Sequence, residues 1–218
     1  MLQKRVIPCL LLHKGGLYKT EKFKNPVYIG DPINAIKIFN EKEVDELIFL
    51  DIGASVENKE PNYRMIEDIA SECFMPLCYG GGVKTIEQMK NIYAIGVEKI
   101  SISSQAVINP SLLIEASNMF GNQSVVVTID IKKDFWGEKK VFINSGKKNT
   151  KLNPMDFIKQ IETLGAGEIV INSVDNDGVM RGYDVKLLRD IKAITKIPII
   201  ALGGAGGLNH IKEVFEVS

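Results

Sequence analysis

Long apolar runs, paired cysteines, excess charge and metal-ligand clusters are all missing from this 218-residue chain. Each absence removes a class of function. The longest apolar stretches span about six to eight residues, far short of the roughly 20 that a membrane-spanning helix needs. The start "MLQKRVIPCLLLHKGG" has no small-residue cleavage site, so no secretory leader is expected. Cys9, Cys73 and Cys78 are odd in number, lie in or beside apolar runs and lack metal-ligand spacing, which reads as a reducing compartment with neither disulfide framework nor metal. Lys plus Arg and Asp plus Glu balance at 27 each, so bulk charge gives no reason to expect nucleic acid or an anionic membrane as partner. The expectation is a soluble cytoplasmic protein without metal or cofactor, whose ligand must be argued from a site.

What is present is a regular alternation. "RVIPCLLL" at 5–12, "ELIFLDI" at 46–52, "MPLCYG" at 75–80, "KISISS" at 99–104, "SVVVTIDI" at 124–131, "EIVINSV" at 168–174 and "IPIIAL" at 197–202 read as buried parallel strands, because crossover helices covering both faces erase strict alternation. Between and after them, 31–42, 61–73, 84–95, 110–120, 154–164, 184–195 and 208–216 carry apolar residues at helical spacing. Asp31-Pro32, Asn109-Pro110 and Asn153-Pro154 each predict a cap residue followed by proline at the first helical position. "FWGEKKVFINSGKKN" is expected to form a hairpin after the fifth strand.

The chain also repeats itself. "MPLCYGGGVKTIEQMKNI" at 75–92 returns as "IPIIALGGAGGLNHIKEV" at 197–214, an offset that aligns Glu46 with Glu168, Pro76 with Pro198, Gly81 with Gly203 and Gly82 with Gly204. The expected fold is therefore α/β, a (β/α)8 TIM barrel of two half-barrels, about 1–122 and 123–218, within a single domain 1–218. The offset would put strand eight near position 221, past the last residue. Either the chain is truncated, the preferred reading, or the barrel lacks that strand; an open doubly wound sheet is the structural alternative.

In such a barrel, chemistry collects at the carboxyl ends of the strands. Leu11, Asp51, Gly80 to Gly82, Ser103, Ser104, Asp130, Ser173, Asp175, Asp177, Gly203 and Gly204 fall there. Glycines between strand and helix let backbone N–H groups approach an anion. Gly81, Gly82, Ser103 and Ser104 thus suggest one phosphate cradle, and Asp177, Gly178, Gly203 and Gly204 a second, for a ligand with two phosphate-like ends. Tight-turn geometry alone is the competing explanation. Asp130 fits a general acid or base or, equally, a brace for the loop that follows. At the opposite ends, Arg5, Glu46, Lys99 and Glu168 begin strands: they are either solvated strand ends or a paired ring at the barrel bottom, since unpaired burial would be costly.

The segments "KRVIPCLLLHKG", "DELIFLDIGASVE", "YGGGVKTIEQ", "KISISSQAVINPSL", "VVVTIDIKKD", "FINSGKKNT", "GAGEIVINSVDNDGVMRGYD" and "PIIALGGAG", in this order, strongly resemble the cyclase subunit of imidazole glycerol phosphate synthase over the whole chain. The resemblance implies a half-barrel-duplicated (β/α)8 protein with a glutaminase subunit at its bottom. Ammonia would cross the barrel and attack a bisphosphorylated ribulosyl aminoimidazole carboxamide ribonucleotide, giving imidazole glycerol phosphate and aminoimidazole carboxamide ribonucleotide, with no cofactor or metal. It further implies that Arg5, Glu46, Lys99 and Glu168 gate the ammonia entrance. Gly82, Ser103 and Ser104, and Asp177, Gly178 and Gly204, would fall at the two phosphate sites. Lys19 would lie in a loop over the mouth, and Asp130 would be one of two catalytic aspartates.

The second catalytic aspartate falls on Leu11, which can neither give nor take a proton; losing such a group removes about 10² to 10⁴ in rate. Ser103 and Ser104 also replace an asparagine-threonine pair, and "LLHKGG" lacks a second acidic position. The preferred expectation is accordingly a paralogue that conducts ammonia from a glutaminase to a separate sugar amidotransferase in surface-polysaccharide or sialic-acid-like sugar synthesis. The alternatives are a working cyclase of histidine biosynthesis and a non-catalytic scaffold.

Overall fold

The computed structural model describes residues 4–54 and 56–217; the expected outer limits of the domain, 1 and 218, lie outside the described residues. Two compact units are present, one of Met1–Lys19 with Val27–Ile102, the other of Thr20–Pro26 with Ser103–Ser218. They divide after Ile102, and the second takes in a segment from early in the chain.

The first unit contains β1 (Cys9–His13), β2 (Gly16–Glu21) and β3 (Lys24–Gly30), the last two apart from the Thr20–Pro26 tip between them. It continues with α1 (Pro32–Glu41), β4 (Leu47–Asp51), α2 (Tyr63–Glu72), β5 (Leu77–Gly80), α3 (Ile86–Ala94) and β6 (Lys99–Ile102). β1, β4, β5 and β6 run parallel in that spatial order, while β2 folds back antiparallel on β1. Leu47, Ile48 and Phe49 of β4 are almost fully buried, as are Ile36 of α1, Ile66 and Ile69 of α2, and Met89 and Ile92 of α3. Each such side chain contributes about 1.5–3 kcal/mol on leaving water. Local chemistry starts the helices where expected. Asp31 accepts the Asn34 N–H ahead of Pro32, and Thr85 and Gln88 form a reciprocal capping box on α3.

The second unit contains α4 (Ser104–Ile108), α5 (Ser111–Phe120), β7 (Val125–Lys133), β8 (Lys139–Ile143), β9 (Lys148–Asn149), α6 (Pro154–Thr163), β10 (Glu168–Ser173), α7 (Val185–Lys192), β11 (Ile199–Leu202) and α8 (Leu208–Val217). β7, β10 and β11 are parallel neighbours; β8 is antiparallel to β7, so the expected hairpin is present. Phe157, Ile158 and Ile161 of α6 and Leu187, Leu188 and Ile191 of α7 are buried.

Both units are thus α/β and barrel-like in their succession of parallel strands and helices, with β1 and β7 each followed by an antiparallel strand before the next helix. The seven expected strand runs all contain a parallel strand. One expected helix start is corrected: Asn109 does not cap α5. It ends the short helix α4, and Pro110 itself is the residue before α5. The hairpin of β2 and β3 was not expected. Its polar, lysine-rich sequence hides strands that carry little core.

Candidate functional site

Strand alternation places Val126, Thr128 and Asp130 on one face of β7 and Glu168, Val170 and Asn172 on the same face of β10, with Glu168 opposite Val126, Val170 opposite Thr128 and Asn172 opposite Asp130. The other face belongs to the helices, with Ile171 and Ser173 set against Leu187 and Leu188 of α7. Four polar side chains therefore share a wall turned away from α7, and all are buried: Thr128, Asp130, Glu168 and Asn172. Asp130 lies near the carboxyl end of the wall. Asn172 Nδ2 donates to its Oδ1 at 3.3 Å. Burial pushes the Asp130 pKa up to about 7, the Asn172 bond opposing the rise and the nearby Asp177 charge adding to it.

Asp177 follows β10 and meets the Thr20–Pro26 segment. Thr20 Oγ1 donates to its Oδ2 at 3.2 Å, and the Lys22 N–H donates to its carbonyl at 2.9 Å. Burial raises the Asp177 carboxyl pKa, offset in part by Thr20 and the Phe23 backbone. Lys22 and Phe23 both have positive φ, 51° and 62°, a conformation that costs a side chain-bearing residue about 1–2 kcal/mol. Gly178 is the counterpart: at φ 70°, a Cβ there would lie 2.1 Å from the Thr20 carbonyl oxygen. Gly203 and Gly204, at φ 88° and 114°, bring the chain end of β11 against Ser173 and Gly182 so closely that a Cβ would meet their carbonyl oxygens at 2.8 and 2.1 Å. Asp177, Gly178, Gly203 and Gly204 thus occupy one loop region of the second unit. Ser103 heads α4 without capping it, and the Ser104 hydroxyl accepts the Asn144 N–H at 3.0 Å.

In the first unit, Gly81 and Gly82 follow β5. A Cβ on Gly81 would stand 2.5 Å from the Asp51 carbonyl oxygen; Asp51 in turn accepts the Gly53 and Ala54 N–H groups at 3.0 Å each. Leu11 lies half-buried in β1, opposite Leu50 of β4 and Tyr18 of β2. Lys19 is exposed on β2. At the amino ends of the strands, Glu46 is 1% exposed and accepts from Lys99 Nζ at 2.9 and 3.1 Å and from Arg5 NH1 at 2.7 Å. Three of the four charged residues singled out at strand starts form one ion-pair cluster in this unit. The fourth, Glu168, is buried in the other unit. Among the described residues no group of His, Cys, Asp and Glu could hold a metal ion, and no helix is long and apolar enough to cross a membrane.

Asn172, Thr128 and Thr20 were missed from sequence. The first two had a signal, a polar residue inside an apolar strand run; Thr20 had none, because its partner lies 157 residues away.

The second unit carries a buried carboxylate at the carboxyl end of its parallel strands and the first an ion-pair cluster at its strand starts, each on an α/β, barrel-like succession of strands. The chain matches the histidine biosynthesis protein family over residues 5–218. It belongs to that family, in its HisF-type cyclase-subunit branch. The Pseudomonas aeruginosa protein named "Putative imidazole glycerol phosphate synthase subunit hisF2" is 52% identical over 216 residues, 99% of this chain and 86% of that protein. A Vibrio vulnificus relative, "Putative imidazole glycerol phosphate synthase subunit hisF3", is 51% identical over 217 residues, covering 99% and 84%. The imidazole glycerol phosphate synthase subunit HisF of Streptococcus sanguinis is 40% identical over 216 residues, covering 99% and 86%.

Proposed function

We propose that this HisF-type chain is the cyclase subunit of an ammonia-using synthase of histidine biosynthesis, joining ammonia from a glutaminase partner to a phosphorylated ribulosyl ribonucleotide. The observation that carries this reading is Asp130: a buried carboxyl at a strand end, titrating near neutrality, can both give and take a proton at working pH. Arg5, Glu46 and Lys99 of the first unit and Glu168 of the second are the ammonia-gate residues on this reading, and a glutaminase is the partner. The phosphate-binding residues on this reading are Gly81 and Gly82 in the first unit and, in the second, Ser103 and Ser104 and, separately, Asp177, Gly178, Gly203 and Gly204; Lys19 is the loop lysine. Neither metal nor cofactor is called for, since proton transfer and phosphate binding are within reach of these groups.

Leu11 favours a second reading. Beside Leu50 and Tyr18 it supplies no proton-transfer group, and ring closure with one carboxylate in place of two is slow. Relatives with provisionally worded HisF names stand at 51–52% identity, against 38–41% for those named HisF without qualification. The second reading is therefore a divergent branch that passes ammonia to a separate acceptor such as a sugar amidotransferase.

Turnover of the ribulosyl substrate with ammonium salt, and with glutamine plus glutaminase, tests both. The first reading expects slow turnover that Leu11→Asp raises by about 10² or more. No turnover in either protein, with the fold intact, refutes it and leaves the second.

A further inference from the structure

Of the two polar atoms of the Asn172 amide, only one has a hydrogen-bond partner. Nδ2 donates to Asp130, but Oδ1 is buried without a partner among the described residues, and a buried acceptor left unmade costs about 1–3 kcal/mol. Its surroundings are tight: a Cβ on Gly203 would come within 3.2 Å of that oxygen. A carboxylate can only accept hydrogen bonds, whereas a carboxylic acid also offers one O–H. The present arrangement satisfies the ionised form of Asp130. Turned half a revolution about its last side-chain torsion, the same amide would present Oδ1 to the protonated form.

We propose that Asn172 is the positioning residue for proton transfer at Asp130, its amide donating to the carboxylate and, after that half-turn, accepting from the carboxylic acid. The proposal deepens the reading of Asp130 as proton carrier and rests on it. No covalent bond is made or broken by Asn172; the proton stays on Asp130 or leaves it, and the amide follows. Three charged groups among the described residues bear on Asp130. Asp177, after β10, opposes its ionisation. Glu168 is two rungs away on the same face of β10. Lys132 of β7 has its Nζ 5.3 Å from the centre of the Phe142 ring, the residue opposite Asp130 on β8.

The test is a pH titration of the full-length, isotopically labelled chain by NMR, following the Asp130 side-chain carboxyl carbon and the Asn172 side-chain amide. The expected result is one shared midpoint for both signals, and loss of the Asn172 transition in Asp130→Asn. Asn172→Leu should move the Asp130 midpoint upward by about one pH unit, since the donor to the carboxylate is gone. A flat Asn172 amide across the Asp130 transition overturns the proposal, as does an unmoved Asp130 midpoint in a folded Asn172→Leu protein. If that variant fails to fold, the co-titration in the unmodified chain still decides. Turnover is not read, so absence of ring closure would sink the proposed function while leaving this result standing.

Discussion

Gly178→Ala should free the Thr20–Pro26 tip. The new methyl would sit 2.1 Å from the Thr20 carbonyl oxygen, so the two backbones must part by about 1 Å to reach an ordinary C···O contact. Backbone atoms on both sides leave no flexible side chain to absorb the shift. Parting them breaks the Lys22 to Asp177 and Thr20 to Asp177 hydrogen bonds. With the left-handed backbone that alanine would have to adopt, the gross loss is about 4 kcal/mol. Release also relaxes Lys22 and Phe23 from positive φ, returning about 2 kcal/mol. The net is about 2 kcal/mol, so detachment wins over distortion of the loop that carries Asp177. Amide exchange of Lys22 reads this directly, and its protection should fall roughly 30-fold. Protection within about threefold of the unmodified chain would refute the reasoning, because the tip would then be held by something other than these contacts.

Replacing Lys99 by methionine removes one of the two cations paired with Glu46, which is 1% exposed and would keep Arg5 alone. Losing a partner of a buried charge costs about 3–5 kcal/mol when nothing remains, so with Arg5 in place we expect about 2 kcal/mol in urea denaturation; an unchanged midpoint would contradict the cluster's role. For Asp130→Asn the sign follows from a folded-state pKa raised from 3.8 to about 7. The stability tied to its protonated form is fully present below pH 3.8, and is lost as the pH rises to about 7. The variant should match the parent below pH of about 4 and exceed it above about 7, by at most roughly 4 kcal/mol. A constant difference across that range would show that Asp130 is not the titrating group.

The parallel strands were legible because burial on both faces leaves continuous apolar runs, and "VVVTIDI" and "EIVINS" became β7 and β10 with few residues of error. Asp31 and Asn153 announced their helices through cap chemistry that is local. Asn109 failed as a cap because the preceding "SQAVI" closes a helical turn of its own, which a five-residue segment does not advertise. The Arg5, Glu46 and Lys99 association could be anticipated, since charges at the starts of parallel strands have little choice but to meet when buried. Asn172 was overlooked for the opposite reason: its role depends on the register between β7 and β10, which no single strand encodes. Thr20 depends on a contact 157 residues distant, beyond any periodicity.

The tip that joins β2 to β3 belongs to the second unit, although it is encoded before the first unit is half written. A gene severed between codons 102 and 103 would therefore not give two self-sufficient pieces. The downstream piece would arrive with Asp177 stripped of the Thr20 and Lys22 bonds, and only the upstream piece could lend them back.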